Sequence, residues 1–475
     1  METNSSLKYP TIIQGGMGIA VSSAHLAREV AMHGQLGVVS GTAIDSVVAR
    51  RLQDGDSTGD IRRALSYFPD QDAVAEILKR FYVENGKDKK RPYDDVPKLI
   101  LKPTLFAQQM LIASTFVEVW LAKEGHSGQV GMNLLEKIQL AIPAQIFGAM
   151  LAGVDYLLIG AGIPAQVPRV INSIVNGQSL TMKIDVGDTN DKLVLNFDPA
   201  VINNVSYPLS RPRFLAIVSS HALVSYLNKD VETKPDGYVI EYHVAGGHNA
   251  PPRGKNSTNA FGEAVYSEAD LPNLEKIRAS GSPFWLAGGF GTPEKIKAAI
   301  ELGAQGVQIG TLFALSNESG FSKEIRTEIL ASLDSGQLRV TTDAGASPTG
   351  FPFKVVHIDS TLSDINLFNQ RTRKCDLGYL RTPFKRESGG IGYRCPAEPI
   401  DTFEFKKGVT EDAIHAKCLC NALMADIGLA QLRPDGRLEL PLVTIGSDLD
   451  GAMDLVKIYA DGWSAQEALN YLIGV

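Results

Sequence analysis

The sequence lacks an excess of basic residues. Its 46 lysine and arginine residues are outnumbered by 53 aspartate and glutamate residues, which gives a formal net charge of -7. A protein that binds a nucleic-acid backbone needs a broad positive surface to neutralise the phosphates. The charge balance therefore argues against a nucleic-acid partner.

Cysteine is scarce, and long apolar runs are not evident. Four cysteines in 475 residues do not make the disulfide framework of a secreted domain, so we expect a reducing, cytoplasmic location. The first ten residues, METNSSLKYP, contain neither the basic nor the apolar segment of a secretory signal. No apolar stretch stands out as long enough to span a bilayer, so we expect no membrane partner.

Glycine, by contrast, is abundant. The chain has 45 glycines, and many of them follow short apolar runs, where they allow tight turns and a close approach of the backbone to a ligand. Hydrophobic residues at 44% and charged residues at 21% are ordinary for a folded protein. The length suits one large catalytic domain with an added segment, or two or three smaller domains.

Short apolar runs alternate with segments of helical periodicity, which predicts an α/β protein with parallel strands. Eight such units are the number that closes a (β/α)8 TIM barrel. The predicted strands are Thr11-Gln14, Leu36-Val39, Gln129-Met132, Tyr156-Ile159, Phe214-Ser219, Tyr238-Tyr242, Phe284-Ala287 and Val307-Ile309.

The predicted barrel covers residues 9–350 and is interrupted twice. A charged, helix-prone stretch at about 45–110 predicts a helical insertion. Alternating apolar and polar residues at about 177–204 predict a β-hairpin insertion. Both insertions are expected to lie outside the core. Beyond residue 350 the strand-helix rhythm stops, and residues 351–475 form a C-terminal extension with predicted helices at 412–428 and 464–472.

All four cysteines lie in this extension, at Cys375, Cys395, Cys418 and Cys420. Their clustering raises the alternative of a thiolate site for zinc or an iron–sulfur cluster. The spacing lacks the paired CxxC motifs that mark such sites, so buried free thiols are the favoured interpretation and no metal ligands are assigned.

Active sites of barrels lie at the carboxyl ends of the strands, and here two glycine-rich ends stand out. Gly288 and Gly289 follow the seventh strand, and Gly310 and Thr311 follow the eighth. Barrels that bind phosphate commonly do so at these two loops, through backbone N–H groups. Paired glycines also serve simply to turn strands into helices, but two sets at adjacent strand ends favour phosphate binding.

His248 is the main candidate for proton chemistry. It follows the sixth strand and a glycine pair, which would leave its imidazole at the rim. A structural loop histidine is the alternative. Asn133 after the third strand offers an amide to a ligand, or else caps a helix starting at Leu134. Met17 would pack on an aromatic ligand or fill core.

These motifs resemble those of the FMN-dependent nitronate monooxygenases, formerly called 2-nitropropane dioxygenases, and of the related FMN-dependent enoyl reductases. The resemblance runs from about residue 9 to 320. It is carried by IIQGGM, VGMNL, DYLLIGAGIP, AGGHNAP and WLAGGFGTPEKIKAAIELGAQGVQIGTLFALSNES, in this order along the chain.

The resemblance implies an FMN on the barrel rim, with its phosphate at the two glycine loops. It also implies that Gly15 to Met17 line the isoalloxazine ring, that Asn133 lies near the reactive edge, and that His248 is the catalytic base. The cofactor-binding residues expected in this way are Gly15, Gly16, Met17, Asn133, Gly160, Glu241, Gly246, Gly247, Gly288, Gly289, Gly310 and Thr311.

The implied reaction is oxidation of a nitroalkane or nitronate by O2 to a carbonyl compound and nitrite. Glu241 departs from the glutamine usual in the monooxygenases, and Val244 departs from the usual glutamate. The long extension is more similar to enoyl reductases of polyketide or polyunsaturated fatty-acid synthases. An NAD(P)H-dependent enoyl-thioester reductase is therefore the alternative.

A third hypothesis is a flavin-free isomerase or lyase of a phosphate-bearing ligand, with His248 as its acid and base. In each case the expected partners are small molecules, and assembly into a homo-oligomer is left open.

Overall fold

A computed structural model of the chain confirms the predicted (β/α)8 barrel. It describes residues 8–187, 189–253 and 258–474. The strands are β1 (Ile12–Gln14), β2 (Gly37–Ser40), β3 (Val130–Leu135), β4 (Tyr156–Gly160), β5 (Leu180–Asp185), β6 (Lys192–Phe197), β7 (Arg213–Val218), β8 (Gly237–Glu241), β9 (Phe284–Ala287), β10 (Gly306–Ile309), β11 (Val340–Asp343), β12 (Phe353–Val356), β13 (Thr382–Lys385) and β14 (Ile391–Arg394).

Helices surround the barrel and build the extension. They are α1 (Ala24–Met32), α2 (Ile44–Gln53), α3 (Asp60–Ser66), α4 (Gln71–Phe81), α5 (Leu105–Lys123), α6 (Ile142–Leu151), α7 (Val167–Val175), α8 (His221–Leu227), α9 (Leu274–Ala279), α10 (Pro293–Glu301), α11 (Thr311–Ala314), α12 (Lys323–Asp334), α13 (Ile365–Gln370), α14 (Ile400–Phe405), α15 (Thr410–Ile414), α16 (Leu419–Asp426), α17 (Asp450–Ile458) and α18 (Ala465–Ile473).

Eight parallel strands form the barrel in the order β1, β10, β9, β8, β7, β4, β3, β2. A parallel bridge between Ile13 and Leu36 joins the two ends of this sheet, so the barrel is nearly closed. A cluster of buried side chains fills the interior of the barrel. It includes Tyr156, Val239 and Trp285, which are fully buried. The filled interior leaves the carboxyl ends of the strands as the place for a ligand.

Local sequence explains the start of α10 but not that of α6. Thr292 caps α10, because its side chain accepts the Lys295 backbone N–H and Pro293 occupies the first turn, as predicted. The predicted helix from Leu134 is wrong at its start. Residues 133 and 134 are held in β3 by pairing with β4, and the helix begins only at Ile142. Strand pairing here overrides the local helical pattern, and Asn133 caps no helix.

The helical insertion is more deeply packed than its composition suggested. Nearly every residue of α2 is buried, and α5 packs against α1, α2 and α6. By length and composition α5 would be able to cross a membrane, so the expectation that no segment reaches that length is wrong. In this fold 61% of its apolar window is buried inside the protein. The second insertion is the predicted antiparallel hairpin, β5 with β6.

The extension packs on the barrel and shares its core. Trp463 is fully buried and donates its indole N–H to the Leu312 carbonyl at 2.8 Å. The predicted helix at 412–428 is two shorter helices, α15 and α16, and α17 was not predicted, whereas the last predicted helix is confirmed as α18. The extension therefore reaches the carboxyl face of the barrel, where it can contribute to a site.

Candidate active site

A large cavity opens at the carboxyl ends of the barrel strands. It holds about 1360 Å³ of space not filled by atoms, part of it open to solvent. All of the site residues predicted from the sequence line it: Gly15, Gly16, Met17, Asn133, Gly160, Glu241, Gly246, Gly247, His248, Gly288, Gly289, Gly310 and Thr311. Their convergence on one cavity is observed, and their roles remain predictions.

One side of the cavity is a cradle of backbone amides. Gly288 and Gly289 have φ angles of 82° and 84°, which disfavour any side chain, and a Cβ on Gly288 would lie 2.8 Å from the Tyr242 carbonyl oxygen. The N–H groups of Gly289, Gly310 and Thr311 donate to no acceptor within the described part of the chain. Free amides that converge in this way are suited to an anion such as phosphate.

The Thr311 hydroxyl has a partner that the sequence did not suggest. Its oxygen accepts the Gly446 N–H at 3.0 Å, so the hydroxyl hydrogen is still available to a ligand. Gly446 belongs to the segment Thr444–Asp448 of the C-terminal extension, which we call the closing loop. This loop lines the same cavity.

The closing loop also fixes the loop that carries His248. Thr444 accepts the Gly247 N–H through its hydroxyl at 2.8 Å, and Ser447 donates its N–H to the Val244 carbonyl at 2.9 Å. A Cβ on Gly246 would lie 2.8 Å from the Ile445 carbonyl carbon, so the two loops pack backbone against backbone. The extension is thus a structural part of the site.

We expect Thr444→Val to lower the free energy of unfolding by about 1–3 kcal/mol, because the Gly247 N–H loses its acceptor. Chemical denaturation measures this change. Thr444→Ser keeps the hydroxyl and is the matched control. Equal losses for the two variants would show that packing of the threonine methyl group matters and the hydrogen bond does not.

A lysine pairs with two aspartates beside the amide cradle. Lys295 bonds to Asp448 at 2.6 Å and to Asp450 at 2.8 Å, and a Cβ on Gly289 would lie 3.2 Å from the Asp448 carboxylate. The lysine therefore offsets the negative charge that the closing loop brings beside the amides.

His248 lies beside the amide cradle and is neutral at physiological pH. Burial, and then the nearby positive charge of Lys137, lower its pKa to about 4. Its Nε2 lies 2.7 Å from the Ser347 hydroxyl, and its ring packs edge to face on Phe353 with centroids 4.9 Å apart. Ser347 and Phe353 both follow β10 in the sequence. A neutral imidazole held in this way can accept a proton or a hydrogen bond.

Glu241 ends β8 and lines the cavity. Burial raises its pKa to about 8, and no group in the described residues donates a hydrogen bond to its carboxyl. At neutral pH the side chain is therefore mostly a carboxylic acid, which can donate a hydrogen bond as the amide of glutamine does.

Gln308 is a lining residue that the sequence analysis missed. Its amide oxygen is buried and has no partner in the described chain, and its side chain lies 3.2 Å from the position of a Cβ on Gly15. The predicted loop residues follow the strands, whereas Gln308 lies within β10. A polar residue in an otherwise apolar barrel strand was the available signal. On the other side, Gly16 packs against the Asn133 side chain, where a Cβ would lie 2.2 Å away.

These features fit a flat cofactor with a phosphate group. The amide cradle would hold the phosphate, Gly15 and Gly16 line the same cavity, and the orphaned Gln308 oxygen offers an acceptor to a ring N–H.

The cysteines of the extension lie close to one another but away from this cavity. The neighbouring Cys375 thiol raises the pKa of Cys395, and burial raises the pKa of the Cys420 thiol. Within residues 8–187, 189–253 and 258–474 no group of three or more His, Cys, Asp or Glu side chains is placed to share a metal ion.

Comparisons with known proteins agree with the motif resemblance. The sequence profile of the nitronate monooxygenase family matches residues 173–349, which contain Glu241, His248 and the amide cradle. No curated protein sequence matches the chain. The match confirms the predicted resemblance and supports an oxidoreductase with a flavin cofactor.

Three solved structures are distant likenesses. FabK from Thermotoga maritima has 14% identity and a TM-score of 0.49 over 100% of this chain and 96% of that one. A nitroalkane oxidase from Streptomyces ansochromogenes has 15% identity and a TM-score of 0.45 over 99% and 96%. The enoyl reductase domain of MlnA from Bacillus amyloliquefaciens has 13% identity and a TM-score of 0.46 over 99% and 97%.

Proposed function

We propose that this chain is an FMN-dependent oxidoreductase of the nitronate monooxygenase type. The proposal is carried by one observation: the amide cradle and the neutral His248 share a single cavity, within the segment that matches the nitronate monooxygenase profile. The N–H groups of Gly289, Gly310 and Thr311 would hold the FMN phosphate. When bound, FMN would supply the acceptance of electrons and the reaction with O2.

The chain's own residues would bind and orient the substrate. With its pKa lowered to about 4, His248 is a weak base, so it removes a proton from a neutral nitroalkane slowly. A preformed nitronate needs no such step. Its oxygens can accept hydrogen bonds from the cavity, and the exposed Lys137 provides positive charge nearby. We therefore propose the nitronate anion as the preferred substrate.

A second candidate reaction is the NAD(P)H-dependent reduction of an enoyl thioester. The specific observation in its favour is Glu241, because reduction of the double bond consumes a proton along with a hydride. A carboxylic acid with a pKa of about 8 carries that proton at neutral pH. Oxidation of a nitronate makes no such demand.

The first test is the visible spectrum of the purified protein, with mass spectrometry of the released chromophore. We expect a yellow protein that contains FMN. A colourless protein that also fails to bind added FMN would contradict the proposal and leave the flavin-free isomerase or lyase.

A second test separates the two reactions of the FMN-loaded protein. O2 consumption with a nitronate, in the absence of NAD(P)H, would support the monooxygenase. Anaerobic oxidation of NADPH that requires an enoyl thioester would instead support the reductase.

A further inference from the structure

We propose that Glu241 is a proton-carrying acid of the site that donates a hydrogen bond to the bound cofactor, so that loss of its proton weakens cofactor binding. This inference rests on the proposed binding of FMN.

The position of Glu241 places it against the cofactor space. It is the last residue of β8, in register with Ala287 of β9, and Ala287 is followed directly by the amide cradle. Both residues line the main cavity. The Glu241 side chain also lines a second, smaller cavity behind β8, which His243 and Tyr266 share. It is the residue that the two cavities have in common.

The Arg253 guanidinium lines the second cavity, but it donates to backbone carbonyls and forms no ion pair with Glu241. The His243 ring stacks on Tyr266 with centroids 4.4 Å apart, and burial lowers the pKa of this histidine, which keeps it neutral. Burial raises the pKa of Tyr266 to about 12, so the phenol is also neutral. Asp270, further along the cavity, accepts the Arg253 backbone N–H at 2.7 Å.

The exposed Lys137 lowers the pKa of His248, and no charged group among the described residues pairs with the Glu241 carboxyl. On the main-cavity side, His248 is neutral and Asp448 is paired with Lys295. The positive charge of Lys354 contributes to the lowered pKa of His243. Burial lowers the pKa of Lys354 itself to about 8, and its ammonium group bonds to the Thr342 hydroxyl. Glu241 therefore ionises without a partner, and its charge would face the cofactor.

The protonation state decides what this side chain can do. The protonated carboxyl can donate to a ring nitrogen or carbonyl oxygen of FMN, whereas the carboxylate can only accept and repels electron-rich ring atoms. The sign follows from the raised pKa of about 8: the donor form dominates below pH 8 and is lost as the pH rises through that value. FMN affinity should fall over the same range.

The test is FMN binding to the cofactor-free protein and to Glu241→Gln, from pH 6.5 to 9.5, followed by quenching of flavin fluorescence. Glutamine keeps the shape and a donor but does not titrate. At pH 9.5 we expect the unaltered protein to bind FMN at least about tenfold more weakly than Glu241→Gln does, and at pH 6.5 we expect the two affinities to agree within about threefold. Titration of FMN itself affects both proteins equally.

The infrared band of a protonated carboxyl group reports the protonation of Glu241 directly. We expect one such band to disappear in Glu241→Gln, and in the unaltered protein to fade as the pH rises through about 8. This measurement needs no cofactor. If Glu241→Gln fails to fold, Glu241→Met replaces it, since methionine is of similar length and does not ionise.

The outcomes separate the two proposals. Parallel pH profiles for the unaltered and Glu241→Gln proteins, both binding FMN, would overturn the role of Glu241 and leave the proposed function intact. Failure of the unaltered protein to bind FMN at pH 6.5 would overturn the proposed function itself.

Discussion

Replacing His248 by asparagine is expected to reduce kcat/KM for a neutral nitroalkane by about 10²- to 10⁴-fold, the range that general-base catalysis contributes. The FMN content should be unchanged, because the amide cradle does not depend on the imidazole. Turnover of a preformed nitronate should fall by less than about tenfold, since that substrate has already lost its proton.

The structure also predicts how kcat/KM for the nitroalkane depends on pH. Because the pKa of His248 is lowered to about 4, the neutral base is present above that pH and is lost as the pH falls through it. The acid limb of kcat/KM for the nitroalkane should therefore lie near pH 4 and be missing in the asparagine variant. Steady-state O2 uptake from pH 3.5 to 7 measures this limb.

His243→Asn is the matched control for this experiment. The His243 ring stacks on Tyr266 and lies outside the main cavity, so its replacement should leave the ratio of the two substrates unchanged. If His248→Asn lowers the turnover of nitroalkane and nitronate by the same factor, proton removal is not the role of the imidazole.

Gly289→Val is expected to raise the Kd for FMN at least about 100-fold, which corresponds to about 2.8 kcal/mol. A Cβ at this position would lie 3.1 Å from Val244 and 3.2 Å from Asp448, and the φ of 84° disfavours any side chain. The branched side chain would push the closing loop away and block access to the free amides. Equilibrium binding of FMN to the cofactor-free variant measures the effect.

Gly281→Val controls for backbone strain. Gly281 has a φ of 70° and lies far from the cavity, with no atom within 4 Å of its Cβ position. This variant should lose stability but bind FMN normally. A Gly289→Val protein that folds, as shown by circular dichroism, and binds FMN with unaltered affinity would refute the placement of the phosphate.

The candidate site combines parts that the sequence reveals to different degrees. Glycine pairs after β9 and the Thr292–Pro293 helix start are local signals, because a positive φ and a helix cap each depend on a few consecutive residues. The helix start was predicted correctly. The boundary at Asn133 was not, because pairing with β4 extends the strand beyond what its own residues indicate.

The closing loop shows most clearly what the local sequence could not predict. Thr444 and Gly446 lie about 200 and 135 residues from Gly247 and Thr311, the residues that they contact. Nothing in their local sequence distinguishes them from other loop residues. Their role arises only because the extension folds back over the carboxyl face of the barrel.

The sequence by itself determined the barrel, the order of its strands and the residues that converge on its carboxyl face. It could do so because hydrophobic periodicity and glycine conformations are encoded within short segments. The tertiary structure alone decided the protonation of Glu241 and His248, the exposure of Gln308 to the cavity, and the closure of the site by the extension. Each of these depends on burial and on contacts between distant segments, and desolvation of a charge is set by the whole environment of the group.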